Sequence, residues 1–217
     1  MKPESKEWTH KVGHHFADAE NEWSANKLGF WLFLATEILL FGGLFVAYAV
    51  FRNMYPETFH QAHHHLNRTM GAINTVVLIC SSFTMAMAVR AAQTNQQRRL
   101  VGFLVVTLAC AGTFLVIKYF EYAEKIRHGY LPGFWYTPHE TGDPANGNIF
   151  FGLYFMMTGL HGVHVIAGIC AITWVLVRSM RRQFSSSYHT PVELTGLYWH
   201  LVDLIWIYLF PLFYLIG

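Results

Sequence analysis

Five apolar runs, each long enough to cross a bilayer as a helix, decide what this chain can become. A hydrocarbon core about 30 Å thick takes roughly 20 helical residues. The runs cover approximately residues 28–51, 69–89, 100–120, 149–177 and 194–216 of 217. None shows the alternation of roughly ten-residue barrel strands, so the helix is the state that satisfies the backbone in lipid. Charged residues make up 13% of the chain, against about 25% in soluble domains. The expected fold is therefore all-α: a bundle of five transmembrane helices in an integral membrane protein. Residues 1–27 are polar and lack the apolar core and cleavage site of a signal peptide. They read as a soluble tail along the membrane surface.

The basic residues set an orientation. Ten of them (Lys2, Lys6, Lys11, Lys27, Arg90, Arg98, Arg99, Arg178, Arg181 and Arg182) fall on one side of a five-span path. Five (Arg52, Arg68, Lys118, Lys125 and Arg127) fall on the other. The positive-inside rule then puts the N-terminus inside and the C-terminus outside. The third loop, HGYLPGFWYTPHETGDPANGN, is rich in Gly, Pro and aromatic residues. It reads as an ordered non-helical cap at the outer surface, with Phe134, Trp135 and Tyr136 in the interface belt.

Other classes are disfavoured. A net charge of +2 without a basic stripe gives nucleic acid no footprint. Cys80, Cys110 and Cys170 each lie inside an apolar run with no CxxC spacing. They read as small buried hydrophobes rather than disulfides or thiolate ligands.

The informative residues are polar ones at membrane depth, which are functional-site hypotheses by default. They are Glu37 in the first run, Asn74 in the second, His161 and His164 in the fourth, and His200 and Asp203 in the fifth. At about 1.5 Å per residue, Glu37, His164, His200 and Asp203 fall within about 10 Å of one another in height. Phe30, Phe33, Glu37, Phe41 and Tyr48 share one stripe, and Trp199, Asp203, Trp206 and Phe210 share another. The histidines admit two readings. One is a haem or metal constellation, which lacks the carboxylate and cysteine partners of a recognisable motif. The other, which we favour, is hydrogen bonding across helices.

Three further features carry structural readings. His60, His63, His64 and His65 lie in the first outer loop as a solvated polar cluster. Lys118, Glu121 and Lys125, at i, i+3 and i+7, suit an ion-pair ladder where the third helix leaves the membrane. Gly152, Gly159, Gly162 and Gly168 are packing positions, placing the fourth helix between neighbours on both sides.

Four blocks in order then carry a resemblance: LATEILLFGGLF with its central glutamate, IKYFEY, GNIFFGLYFMMTGLHGVHVIAG with paired histidines, and GLYWHLVDLIWIYLFPLFYL. Over nearly all its membrane part the chain resembles subunit III of the haem–copper respiratory oxidases, in the shorter bacterial form with five spans rather than seven. The resemblance implies a subunit that holds no haem or copper of its own. It would pack on subunit I, which with subunit II and small subunits reduces dioxygen to water and pumps protons in a bacterial cytoplasmic membrane. Support of proton uptake, turnover stability, and oxygen or lipid access would be its part, with phospholipid as a ligand. The family's membrane glutamate maps to Glu37, its histidines to His161 and His164, and its YWH-x-x-D block to Tyr198, Trp199, His200 and Asp203. In the family the helices splay into a V-shaped cleft that holds lipid, and the resemblance implies that here one arm of it would be supplied by other chains or be absent.

Two rival readings make different expectations. A small proton-coupled carrier would use Glu37, the histidines and Asp203 as a relay, with an internal repeat and broken helices. No repeat is visible in the sequence. A haem-binding membrane anchor would use the histidines as ligands. For Glu37 the residues favour a structural hydrogen-bonding role over a proton-linked one, since one carboxylate does not make a relay.

Overall fold

The computed structural model describes residues 19–137, 146–186 and 188–216. Most of the polar tail and part of the third loop lie outside them. Six α-helices follow in order: α1 (Ala19–Met54), α2 (Pro56–Ala62), α3 (Arg68–Gln93), α4 (Gln97–Arg127), α5 (Gly147–Met180) and α6 (Thr190–Phe210). Five of them, all but α2, are long and apolar enough to cross a membrane, and α6 does so together with the π turn Pro211–Leu215 that continues it.

Local chemistry explains where the helices start and stop. Tyr55 is followed by Pro56 in the first turn of α2, where a missing N–H costs nothing. The Asn67 side chain caps α3, accepting from the backbone of Thr69 and Met70 at 3.1 and 3.2 Å. Asn95, in the left-handed region at φ 57°, reverses the chain between α3 and α4. That short link makes them antiparallel neighbours. Beyond α4, Gly129 turns at φ +77°, and a Cβ there would stand 2.2 Å from the carbonyl oxygen of Thr137. Only glycine allows this return, which brings Tyr130 onto Phe151 with ring centroids 4.4 Å apart.

The helices α3, α4, α5 and α6 close into a ring, each packed on the next and α6 back on α3. Its interior is filled by aromatic side chains, among them Trp199, Trp206, Tyr154, Phe114 and Phe150. Glycines set two of the closest approaches. A Cβ on Gly71 would stand 2.9 Å from the Phe210 ring, and one on Gly196 2.9 Å from Val89.

Helix α1 lies outside the ring against α5 and α6. Only 11% of its apolar window is buried, against 50% for the last span. Leu34, Phe41 and Tyr48 are the buried stripe, with Leu32, Leu39 and Val46 exposed on the rest of the helix. Its far end is tied down by Tyr48, whose hydroxyl donates to the Leu212 carbonyl, and by Arg52, which donates to the Ile216 carbonyl.

At the end of α6, Pro211 has no N–H to continue the α-ladder. The chain widens into the π turn, closed by Ile216 N donating to Pro211 O at 3.0 Å. The turn buries both Phe213 and Tyr214 in the ring.

Candidate functional site

The polar residues at membrane depth sort into three separate environments. The first joins α1 to the ring. Glu37 Oε2 lies 2.7 Å from His164 Nε2, both side chains 15% exposed. The other ring nitrogen, Nδ1, is 2.8 Å from the Leu160 carbonyl one turn back on α5. A carbonyl only accepts, so Nδ1 carries a proton. One further proton then lies between Nε2 and Oε2: either an imidazolium faces a carboxylate, or a neutral imidazole faces a carboxyl group. In both cases the pair is neutral overall. Phe41 sits edge-on to His164 at 5.3 Å, and Tyr198 OH donates to the His164 carbonyl at 3.2 Å.

The second environment lies between α3 and α6 nearer the basic end of the bundle. Trp199 Nε1 donates to Ser81 Oγ at 3.0 Å, and Ser81 Oγ lies 3.5 Å from Asp203 Oδ2. Ser82 Oγ lies 2.7 Å from His200 Nδ1. Asp203 is 2% exposed, and its Oδ1 meets no hydrogen-bond partner among the described residues. Thr84 and Thr107 bond to each other at 2.8 Å between α3 and α4.

The third environment is inside the ring at the opposite, loop-capped end. Lys118 Nζ donates to Glu121 Oε2 at 2.9 Å, to Tyr214 OH at 2.9 Å and to Tyr154 OH at 3.4 Å. Tyr214 OH in turn donates to Glu121 Oε1. The ammonium also lies 4.5 Å from the centre of the Trp206 ring. Glu121 is fully buried. Of the expected ladder, the Lys118–Glu121 ion pair is present and lies inside the ring. Helix α4 runs on to Arg127, and the Lys118–Glu121 pair is an internal, hydrogen-bonded ion pair. Lys125 Nζ donates to the His65 carbonyl.

His161 joins neither His164 nor His200. It is fully buried between Phe114 and Trp206, at centroid distances of 5.6 and 5.3 Å. The shared height expected for Glu37, His164, His200 and Asp203 therefore resolves into different partners on different helices. Among the described residues no group of three or more His, Cys, Asp and Glu side chains converges as metal ligands would. The outer histidines do not form a wholly solvated cluster, because His63 is 3% exposed and its Nε2 lies 2.8 Å from Arg68. Burial, and then the neighbouring His64, push the His63 imidazole below its ordinary value.

The four glycines of α5 differ. A Cβ on Gly168 would stand 2.6 Å from the Trp199 ring, so this glycine sets the α5–α6 approach. At Gly152 and Gly159 the nearest atoms are 3.8 and 3.7 Å away, ordinary contact distances. A Cβ on Gly162 would meet nothing within 4 Å among the described residues.

Sequence reasoning passed over Ser81, Ser82, Tyr154 and Tyr214. Ser81 and Ser82 sit among apolar residues as small hydroxyls do in any membrane helix. The aromatic pattern of α6 hid Tyr214, which reaches Glu121 only because of the π turn.

An all-α bundle with five helices long and apolar enough to cross a membrane, and polar pairs folded into its interior, defines an integral membrane protein. The family model described as Cytochrome c oxidase subunit III matches residues 6–217. The chain is 34% identical over 190 residues to Cytochrome c oxidase subunit 3 of Thermostichus vulcanus, covering 87% of this chain and 86% of that one. It is 30% identical over 197 residues to Quinol oxidase subunit 3 of Bacillus subtilis (strain 168), covering 88% and 87%. Cytochrome bo(3) ubiquinol oxidase subunit 3 of Pseudomonas aeruginosa is 26% identical over 217 residues, covering 96% and 93%. The chain belongs to the cytochrome c oxidase subunit III family.

Proposed function

We propose that the chain is the non-redox third subunit of a terminal haem–copper oxidase in a bacterial cytoplasmic membrane, with its N-terminus inside and C-terminus outside. It packs on subunit I, with subunit II and small subunits completing the complex. Its part is to support assembly, proton uptake and turnover stability while subunit I reduces dioxygen to water, and to shape oxygen or lipid access. Relatives named for cytochrome c and for quinol oxidation both align over most of the chain, as expected if the electron donor is chosen elsewhere in the complex.

The match over residues 6–217 carries this reading. Two features of the bundle support it. Helix α1 leaves most of its apolar surface without a partner among the described residues, as a helix that meets other subunits or lipid would. The described spans are continuous helices, without the midplane breaks of a carrier. In this reading the Glu37–His164 pair has a structural role. It is a neutral hydrogen-bonded tie that sets how α1 leans on the ring.

The test is co-purification. A tagged chain extracted in mild detergent should bring down a large haem–copper subunit in a fixed ratio, with dioxygen reduction. A chain that migrates alone and moves protons in vesicles would replace this reading with the carrier. A haem spectrum from the isolated chain, lost in His161→Ala, would replace it with the anchor.

A further inference from the structure

Two fully buried side chains have both of their polar atoms without a hydrogen-bond partner among the described residues. Asn74 of α3 and His161 of α5 are both fully buried. Neither Oδ1 nor Nδ2 of the first, nor Nδ1 nor Nε2 of the second, is bonded. Exchanging the amide oxygen and nitrogen changes nothing, since both are unpartnered.

The two belong to one layer. Thr84 faces Thr107 across the antiparallel α3 and α4. Counting ten residues back along α3 to Asn74, and ten forward along α4, reaches Ile117 beside Lys118. His161 faces Phe114, one turn from Lys118 on the same face of α4. Trp206 of α6 ties the layer together. Its ring is 5.3 Å from His161, 5.0 Å from Phe114 and 4.5 Å from Lys118 Nζ, and its Nε1 donates to Thr75, the neighbour of Asn74, at 3.1 Å.

The surrounding donors are already committed. Lys118 has three N–H groups and three acceptors in Glu121, Tyr214 and Tyr154. The single Trp206 N–H is taken by Thr75. Asn74 and His161 together offer donors and acceptors of both kinds. A bound cation would crowd the Lys118 ammonium and use only acceptors, and an anion would use only donors. A small neutral molecule that both donates and accepts fits, and buried polar groups are ordinarily satisfied by such a water. We propose that the layer of Asn74, His161 and Trp206 is an internal water site, holding one or a few ordered waters that hydrogen-bond the Asn74 amide and the His161 imidazole. The site links α3 to α5 across the ring, where neither helix follows the other in the ring order. It holds the His161 ring against Trp206 beneath the Lys118–Glu121 pair.

Radiolytic hydroxyl footprinting of the intact complex tests this, because a buried bound water generates radicals beside its neighbours. Trp206 and Phe114 should be oxidised although they are buried, while Phe150, equally buried, stays unmodified. That labelling should be lost in Asn74→Leu/His161→Phe. In thermal unfolding, each single substitution should lower the midpoint and the double should lower it by less than the sum. Trp206 and Phe114 unlabelled in the wild-type complex would overturn the site, whether or not the variants assemble. So would single substitutions that each raise the midpoint additively, as expected when apolar groups replace polar ones in a dry core.

Discussion

Glu37 and His164 meet Oε2 to Nε2 at 2.7 Å across α1 and α5, and the remaining imidazole nitrogen is fixed to the Leu160 carbonyl. A glutamate in the middle of FWLFLATEILLFGGLF thus has a partner that brings or takes one proton. The pair crosses the seam between the ring and the sparsely buried α1.

Glu37→Gln keeps a group able to donate to a neutral His164 Nε2, so assembly and oxygen reduction should stay near wild type. Glu37→Ala leaves Nε2 without its partner and should lower stability by about 1–3 kcal/mol. Thermal release of the subunit from the complex measures both. A Gln variant that assembles normally yet slows proton uptake would make the pair proton-linked instead of structural.

The buried Lys118–Glu121 pair predicts strong non-additivity. Lys118→Met strands the Glu121 carboxyl in the core and should cost about 3–5 kcal/mol. Lys118→Met/Glu121→Gln removes both charges and should recover most of that loss. Denaturation midpoints of the four proteins in the cycle decide it, and additive single effects would mean that the two groups do not share one environment.

Gly168 and Gly162 make a matched comparison on one helix. Gly168→Ala forces a methyl group against the Trp199 ring and should destabilise by about 1–3 kcal/mol. Gly162→Ala meets nothing within 4 Å and should leave the stability of the isolated chain unchanged. Melting curves in detergent suffice. A loss with Gly162→Ala seen only in the assembled complex would place another subunit on that face.

His63 gives the cap at the loop end a pH dependence. Its folded value lies below 6.5 because burial and His64 disfavour the charged form. The unfolded cap therefore binds protons more readily than the folded one, and stability from this residue is complete above pH 6.5. It is lost as pH falls from 6.5 toward the lowered value. Amide exchange at residues 60–68, corrected for intrinsic rates, should show protection decreasing over that window. His63→Gln should flatten the response.

The Lys and Arg distribution predicts opposite locations for the two ends. Folding Lys118 into the ring removes one positive charge from the sparser side, which sharpens the bias. Reporter fusions should place the N-terminal one inside and the C-terminal one outside. Both on one side would defeat the five-span path.

The helices were legible because runs of about twenty apolar residues leave the backbone no other satisfied state in lipid. Glu37 was legible as an anomaly for the same reason. Its partner was not, because His161 and His164 share a helix face at i and i+3, and only the packing of α1 on α5 selects between them. Lys118 and Glu121 read as a ladder where the helix leaves the membrane because they close an apolar run. Tyr154, Tyr214 and Trp206 enclose the pair inside the ring. Gly168 and Gly162 are alike in sequence, and only the position of Trp199 tells them apart.

The π turn at Pro211–Leu215 has a consequence for how homologous chains can vary. It uses one residue more than an α turn would, and Tyr214 reaches Lys118 and Glu121 from within it. Loss of a single residue such as Leu212 would rotate everything after it by about 100° around the helix axis, carrying the phenol away from the ion pair. Chain length at this one point and the identity of residues on a different helix are thereby tied together. A relative one residue shorter here is expected to lack the lysine and glutamate as well, and that coupling can be read from an alignment without any structure.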